Sequence, residues 1–439
     1  MLCQRSARPL IRAGAATLLV LSALAPQLAR TATADGSARY QPWRANAKSA
    51  SSAGPKSFLG QSERMPGIAL SRFDSPSDFP RPGDYFGEAV AISGPVAVVG
   101  AWDSDPARNA AYIYTRSRSG WRRQSALPHP AKWNGFGGAV GVSKSTHGTF
   151  VVVGAPDANN YAGEAYIFVP SGRKWHLQAA LKDPGPKVGT GVTNGDRFGT
   201  EVAVSGQTVL VSAPTGDGMH GVVYVFGRSR GSWHLYATIR NPAAPRQFSF
   251  GSSVALSGNT ALIGEWAGKG VARVYVRAGR SWHRQATITC ACNDSNPAFS
   301  SSVALSGNVA VIGAEGVPDG YYRGAAYIYV RAGTVWRRRA VLPDPRALDG
   351  DAFGSSVAVS GRAVVVGAPS GSPDPGLCGA AYAYSESGRS WVERAQLAEP
   401  TCSSADGFGA SVGISGKTAV IGAPFKNHGA GQVYVLTVP

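Results

Sequence analysis

Residues 353–369 read FGSSVAVSGRAVVVGAP, and this phrase decides the fold of the 439-residue chain. It contains a Phe-Gly pair, an apolar run ending in Ser-Gly, a second apolar run and Gly-Ala-Pro. Seven copies or near variants occur, beginning at Phe86, Phe136, Phe198, Phe250, Phe299, Phe353 and Phe408. In six copies the Phe lies 14 residues before the Gly-Ala-Pro position, and the copy at Phe136 has four extra residues. Repetition of one phrase along the chain is typical of a repeat architecture.

Each unit divides into four apolar or alternating segments separated by Gly, Ser or Pro, which predicts four short strands. The Ser-Gly pair favours a tight turn between the first two strands, because Gly accepts a positive φ. The third segment carries a recurring Tyr and the fourth a recurring Trp, such as Tyr382 and Trp391 in the sixth unit. Their repetition at one position per unit favours packing between sheets over a ligand stack.

Seven such units predict an all-β fold, a seven-bladed β-propeller of four-stranded blades. The last unit ends at Tyr434-Val435-Leu436 and lacks the fourth strand with its Trp. Ile68-Ala69-Leu70 lies just ahead of the first Phe-Gly. We therefore expect residues near 64–73 to complete the seventh blade, so that the last blade is closed by an N-terminal strand.

The first 34 residues have the features of an export signal. Arg5, Arg8 and Arg12 precede an apolar run over 15–24, and the small residues at 32–34 are typical of a cleavage site. An uncleaved anchor is the alternative. Residues 35–63, rich in Ser, Ala and Pro, predict a flexible linker, and 64–439 the propeller. We expect an exported monomer, secreted or held at the cell surface or in the periplasm.

The chain is strongly basic, with 43 Lys and Arg against 26 Asp and Glu. Arginines cluster at the predicted turns between third and fourth strands and on the fourth strand, at 116, 118, 122, 123, 277, 280, 284, 331, 337, 338 and 339. This basic rim is a candidate contact for an anionic envelope polymer. Protection of strand edges by charge is the alternative. Nucleic acid is not an expected partner, because an exported protein meets envelope polymers and membrane surfaces first.

Four cysteines follow the signal segment, and an even number in an exported chain favours disulfides over metal binding. Cys378 and Cys402 fall in loops of neighbouring blades at the same face, which predicts a Cys378–Cys402 bond. Cys290 and Cys292 share one loop, where a strained two-cysteine ring remains open. A zinc site is less favoured, because four ligands are needed and no His is adjacent.

The Phe-Gly and Gly-Ala-Pro pair resembles the FG-GAP repeat of integrin α-subunit head domains and many bacterial surface proteins, over roughly residues 64–439. The resemblance implies a seven-bladed propeller. Several repeats of the family carry an Asp-x-Asp-x-Asp-Gly calcium loop between their first two strands. The turns of this chain, such as Ser257-Gly-Asn-Thr260, are short and have no carboxylate, whereas calcium needs six to eight oxygen ligands. We therefore expect no metal and no cofactor.

Function is expected in the loops that differ between units. Loops from second to third strands and between blades are long and dissimilar, and binding sites usually occupy variable loops on a rigid scaffold. The resemblance supports this, because integrin ligands engage the corresponding face. The candidate ligand-binding residues are Trp133, Asn160, Tyr161, Tyr321, Tyr322, Arg323, Lys426 and His428. These features predict a non-catalytic binding or adhesion module for a protein or a glycan.

No motif indicates catalysis. The chain has no nucleophile elbow, His-Glu-x-x-His or phosphate-binding loop, and no catalytic residue is predicted. The alternative is an extracellular hydrolase or lyase acting on polysaccharide through residues of the central channel. A structural component of a larger surface assembly is a third interpretation.

Overall fold

The structure is a computed structural model that describes residues 70–74, 83–102, 110–127, 135–185, 195–242, 249–266, 269–290, 298–316, 324–346, 350–369, 379–399 and 406–438. The described residues form seven four-stranded antiparallel sheets. This confirms the predicted all-β propeller. The predicted signal peptide (1–34) and linker (35–63) lie outside the described residues.

Each blade runs from an innermost to an outermost strand. The innermost strands are β2 (Phe86–Ser93), β6 (Val140–Ser145), β10 (Val202–Ser205), β14 (Ser253–Ser257), β18 (Phe299–Ser306), β22 (Ser356–Ser360) and β26 (Ser411–Ser415). The second strands are β3 (Val96–Ala101), β7 (Gly148–Ala155), β11 (Thr208–Ala213), β15 (Thr260–Glu265), β19 (Val309–Ala314), β23 (Ala363–Ala368) and β27 (Thr418–Ala423).

The third strands are β4 (Ala110–Ser117), β8 (Glu164–Ser171), β12 (Val222–Ser229), β16 (Val271–Ala278), β20 (Ala325–Ala332), β24 (Ala380–Ser387) and β28 (Gln432–Thr437). The outermost strands are β5 (Gly120–Leu127), β9 (Lys174–Lys182), β13 (Ser232–Arg240), β17 (Ser281–Thr289), β21 (Val335–Pro343), β25 (Ser390–Ala398) and β1 (Leu70–Asp74). Three four-residue turns are α1 (Ala158–Tyr161), α2 (Gly216–Met219) and α3 (Lys426–Gly429). We number the blades 1 to 7 from Phe86 to Phe408.

The seventh blade is closed by β1, as predicted. This strand pairs antiparallel with β28, with Phe73 opposite Val433. The Phe73 ring is 4% exposed and stacks on Tyr114 of blade 1 at a centroid distance of 3.9 Å. The N-terminal strand therefore completes blade 7 and also packs against blade 1.

The two glycines of the repeated phrase meet between adjacent blades. A Cβ atom on Gly100, in the Gly-Ala position of blade 1, would lie 1.9 Å from the carbonyl oxygen of Gly137, in the Phe-Gly pair of blade 2. Gly137 also has a φ of +99°, which other residues rarely adopt. The phrase is therefore a backbone contact between neighbouring sheets, and this requirement explains its repetition.

The Ser of each Ser-Gly turn, and Ser143 at the equivalent position of blade 2, links neighbouring blades. Its hydroxyl oxygen accepts a hydrogen bond from a turn N–H of the next blade at 2.9–3.0 Å. The seven pairs are Ser93 with Lys144, Ser143 with Gly206, Ser205 with Gly258, Ser257 with Gly307, Ser306 with Gly361, Ser360 with Gly416, and Ser415 with Gly94. The turns thus form a closed ring of seven hydrogen bonds. We call the face of the propeller that carries these turns the turn face.

The recurring aromatic side chains pack between sheets, as predicted. Tyr166, Tyr382 and Tyr434 are at most 2% exposed. The indole nitrogens of three tryptophans donate to a glutamine of the preceding blade: Trp175 to Gln124 (3.1 Å), Trp233 to Gln178 (2.9 Å) and Trp336 to Gln285 (3.0 Å). The tryptophans are therefore engaged inside the propeller wall.

Candidate ligand-binding face

The face opposite the turn face carries the loops from second to third strands and the connections between blades. We call it the loop face. In blades 2, 3 and 7 the loop between second and third strands contains α1, α2 or α3, and each has two consecutive residues in the left-handed region. These pairs are Asn159 and Asn160, Asp217 and Gly218, and Asn427 and His428. All six are exposed, so three loops share a tip that projects polar groups into solvent.

The tip in blade 2 also presents an aromatic ring. Tyr161 is 39% exposed and follows the left-handed pair with a positive φ of its own, 65°. Its carbonyl oxygen accepts a hydrogen bond from the Arg197 N–H at 2.9 Å, and the Arg197 guanidinium lies 5.2 Å from the centre of its ring. Arg197 also pairs with Asp157 at 3.7 Å. The exposed ring is thus held by contacts from both blade 2 and the connection to blade 3.

The structure separates the predicted ligand-binding residues. Asn160, Tyr161 and His428 are exposed on the loop face. Lys426 is only 5% exposed, and its Nζ lies 2.5 Å from Glu399 Oε1 and 2.8 Å from Asp406 Oδ2. The expectation for Lys426 is corrected, because its ammonium is enclosed by two carboxylates between blades 6 and 7. Trp133, Tyr321, Tyr322 and Arg323 lie outside the described residues.

Lys426 lies beside one of several pairs of acids that recur between blades. We call such a pair a junction acid pair. The first acid directly follows an outermost strand, and the second lies two residues before the next Phe-Gly. Between blades 6 and 7 these are Glu399 and Asp406, and the Tyr434 hydroxyl donates to Glu399 Oε1 at 2.7 Å. Burial raises the pKa of Glu399, whereas the hydrogen bonds from Lys426 and Tyr434 oppose the rise. The cation and the Tyr hydroxyl therefore satisfy carboxylates that burial would otherwise make costly.

Between blades 5 and 6 the same positions hold Asp344 and Asp351, and the cation is Arg346. Its Nε lies 2.9 Å from Asp351 Oδ2, and the Asp351 side chain is fully buried. Burial raises the pKa of Asp351 to about 7, although Arg346 acts in the opposite direction. This junction supplies its cation from the connection between blades, whereas the junction of blades 6 and 7 supplies it from α3.

Between blades 2 and 3 the acids are Asp183 and Asp196, and both positions that supply a cation elsewhere are glycines. Gly185 takes the place of Arg346, and Gly216 takes the place of Lys426. Burial raises the pKa of Asp196 to about 7, and its hydrogen bond with Asp183 and the charge of Asp217 add to the rise. Asp217 itself pairs with Arg240 at 3.2 Å. Asp196 therefore keeps its proton up to about neutral pH, in a hydrogen bond with Asp183.

Placing a lysine at Gly216 is expected to supply the cation that this junction lacks. A Cβ atom there would lie 3.5 Å from the Asp196 carboxyl carbon, and Gly216 does not have a positive φ. Wild-type stability should fall as pH rises from about 4 towards 7, because the folded state keeps a proton that the unfolded state releases. Relative to Gly216→Met, Gly216→Lys should gain about 1–2 kcal/mol at pH 8, discounted for partial exposure, and much less at pH 5. Urea unfolding at both pH values measures this, and equal stability of the two variants at pH 8 would contradict it.

The acid pairs have a sequence signal that the motif analysis missed. Asp occurs two residues before the Phe of the repeated phrase in four blades, at Asp84, Asp196, Asp351 and Asp406. An acid-Pro pair follows three outermost strands, at Asp183, Asp344 and Glu399. At the equivalent position after β17 stands Cys290, whose Sγ lies 3.8 Å from the Tyr327 hydroxyl. Comparing the repeats around each blade connection would have found these groups.

Cys290 is disulfide-bonded, and the other four cysteines lie outside the described residues, so Cys378–Cys402 stays a prediction. Within the described ranges, no three His, Cys, Asp or Glu side chains are arranged to hold a metal ion. No helix in that part of the chain is long and apolar enough to cross a membrane.

A family model described as FG-GAP repeat matches five segments of the chain: 76–114, 190–226, 282–329, 336–384 and 391–436. No curated protein is similar enough to count as a match. Among solved structures, the crystal structure of Saccharomyces cerevisiae Sqt1 is similar, with 12% sequence identity, a TM-score of 0.45, and coverage of 81% of this chain and 82% of that chain. A likeness at this TM-score supports no inference about function.

Proposed function

Because the chain belongs to the FG-GAP repeat family and folds as a seven-bladed β-propeller, we propose that it is a non-catalytic, exported binding or adhesion module. Its loop face would bind a protein or a glycan. The observation that carries this proposal is Tyr161, the one aromatic side chain that is exposed among the described Phe, Trp and Tyr residues. Exposed aromatic side chains in defined positions are typical anchors of recognition surfaces.

The backbone around Tyr161 supports a binding role. Asn159, Asn160 and Tyr161 all have positive φ values between 52° and 65°, and such unfavourable conformations cluster at ligand-binding sites. The Asn159 amide donates to Glu164 Oε1 at 2.7 Å, which ties the tip to the start of β8. A ring held in this way loses little conformational entropy when a ligand packs on it.

The neighbouring tips extend the candidate surface beyond one residue. Asn160 lies beside Tyr161, and the exposed Asp217 occupies the equivalent tip in the adjacent blade 3. His428 occupies the tip in blade 7. A face that carries an aromatic ring together with amide, carboxylate and imidazole groups suits both sugar hydroxyls and peptide groups, so the proposal covers glycans and proteins.

Tyr161→Ala tests the proposal on an array of immobilised glycans and on extracted cell-surface proteins. For any ligand that the wild type captures, we expect about tenfold weaker binding or more, because a recognition anchor contributes about 2 kcal/mol or more. His147→Ala in the turn face of the same blade is the matched control and should bind as wild type does. Equal binding by the Tyr161 and His147 variants, at unchanged thermal stability, would overturn the proposal.

The proposed binding does not use calcium. Six of the seven inner turns are short Ser-Gly turns, and the longer turn of blade 2 reads Ser143-Lys-Ser-Thr-His-Gly148. None of the seven carries a carboxylate to hold the ion. Polysaccharide hydrolysis or lysis stays the alternative prediction, and turnover assays on the glycans that bind would reveal it.

A further inference from the structure

The net charge of the chain is concentrated on one sector of the propeller wall. We define the outer hairpin of a blade as the end of its third strand together with its outermost strand. In blades 1 to 5 these hairpins are residues 114–127, 168–182, 226–240, 276–289 and 329–343. Together they contain 17 Lys and Arg residues and no Asp or Glu. The formal net charge of the whole chain is also +17, so charges elsewhere in the chain cancel.

Blades 6 and 7 show that this separation of charge is not required by the fold. The outer hairpin of blade 6 contains Arg389 and Arg394 but also Glu386 and Glu393. In blade 7, Arg72 Nε lies 3.1 Å from Asp74 Oδ1. Charges of either sign prevent outermost strands from pairing with other chains, and these two blades use both signs. Protection of strand edges therefore does not explain why the outer hairpins of five consecutive blades contain no acids.

The cations of these five outer hairpins are mostly presented to solvent. Fourteen of the 17 are exposed. The other three, Arg228, Arg277 and Arg331, are half-buried, and two of them contact a threonine of the preceding blade: Arg277 reaches Thr208 at 3.5 Å and Arg331 reaches Thr260 at 3.1 Å. The half-buried arginines thus join blades, while the exposed ones form a basic arc along the outer wall. We call this arc the basic wall.

The side chains of the basic wall indicate which chemical class of ligand it binds. Fifteen of the 17 cations are Arg, whose planar guanidinium pairs bidentately with planar or multi-oxygen anions such as carboxylate and sulfate. No Phe, Trp or Tyr side chain within the five hairpins is exposed. The only aromatic rings that the described wall offers to nucleic-acid bases are therefore the smaller imidazoles of His176, His234 and His283. The wall is also convex, because it follows the ring, and a flat bilayer would touch only part of it.

From charge complementarity and shape, we propose that the basic wall binds a linear polysaccharide bearing sulfate or carboxylate groups, which follows the arc across blades 1 to 5. A flexible chain can bend around a convex wall and present one anionic group after another. This surface meets the loop face at blade 3, where Arg240 of the wall pairs with Asp217 of the tip at 3.2 Å, while Tyr161 lies outside the wall.

The test uses the full chain and a size-defined heparin oligosaccharide as the probe. Arg337→Ser/Arg338→Ser/Arg339→Ser removes three exposed charges from the wall, and Arg362→Ser/Arg389→Ser/Arg394→Ser removes three exposed charges from blade 6. We expect the wall variant to bind about tenfold more weakly or worse, with the slope of log affinity against log salt reduced by about 2–3. The blade 6 variant should bind within about twofold of wild type.

The other outcomes decide against the proposal. If both triple variants bind the heparin oligosaccharide equally more weakly than wild type, binding depends on net charge alone and not on the basic wall. Binding to duplex DNA of equal charge as tight as to heparin, or tighter binding to vesicles containing phosphatidylglycerol, would overturn the assignment to a polysaccharide. Circular dichroism and thermal melting confirm that each variant is folded, and all three arginines of the wall variant are exposed.

Discussion

Replacing Phe73 with alanine is expected to lower the free energy of unfolding by about 3–5 kcal/mol, the usual cost of truncating a buried phenylalanine. The ring stacks on Tyr114 and lies 6.0 Å from Trp121 in an edge-on arrangement. Both partners belong to blade 1, whereas Phe73 completes blade 7. The substitution therefore leaves a cavity at the one junction where distant parts of the chain must meet, and urea unfolding measures its cost.

Arg72→Ala is the matched control for Phe73→Ala. Arg72 is the neighbouring residue on β1 and its side chain is 56% exposed, in an ion pair with Asp74. Exposed ion pairs contribute little, so the control should stay within about 0.5 kcal/mol of wild type. Similar unfolding curves for the Phe73 and Arg72 variants would show that β1 is not needed to close the propeller.

Lys426→Met is expected to destabilise the protein by a similar amount, about 3–5 kcal/mol at pH 8. The methionine keeps most of the aliphatic stem but removes the ammonium between Glu399 and Asp406, which are 7% and 3% exposed. Removing one partner of a buried ion pair leaves uncompensated charge, and this costs far more than a surface pair contributes. Urea unfolding compared with Lys144→Met, a change at an exposed lysine in the turn face, measures the effect.

The loss should depend on pH in a defined direction. Burial raises the folded-state pKa of Glu399, and without the ammonium of Lys426 this pKa would rise further. A carboxyl group with a raised folded-state pKa contributes less stability as pH increases through that range. The deficit of Lys426→Met should therefore shrink when the measurement is repeated at pH 5. A deficit of equal size at both pH values would mean that packing of the stem, and not charge, is the cause.

The architecture was predictable because the repeated phrase is itself a packing requirement. Gly100 and Gly137 must be glycines for neighbouring blades to touch, so the phrase marks every blade junction in the sequence. The missing fourth strand after Tyr434 also predicted that the N-terminal segment closes the ring. The Ser of Ser-Gly was interpreted only as part of a turn, because its partner lies about 50 residues further along the chain.

The candidate site was less predictable, because exposure within a loop depends on how its tip turns. Lys426 and His428 are two residues apart in one loop, yet one is enclosed and the other is exposed. The left-handed conformations of Asn427 and His428 point the tip outwards and leave Lys426 behind it. The cation of a junction acid pair can also come from different loops, as Arg346 and Lys426 show, so spacing along the chain does not identify it.

The register of β1 against β28 determines how the propeller responds to mechanical load. Leu70 lies opposite Leu436 and Asp74 lies opposite Gln432, so the chain enters β1 and leaves β28 at the same end of the strand pair. Force applied between the segment preceding Leu70 and the segment following Thr437 would peel the two strands apart one residue pair at a time. Closure that is strong at equilibrium would therefore open by unzipping under tension, starting at Leu70 and reaching the Phe73 anchor only afterwards.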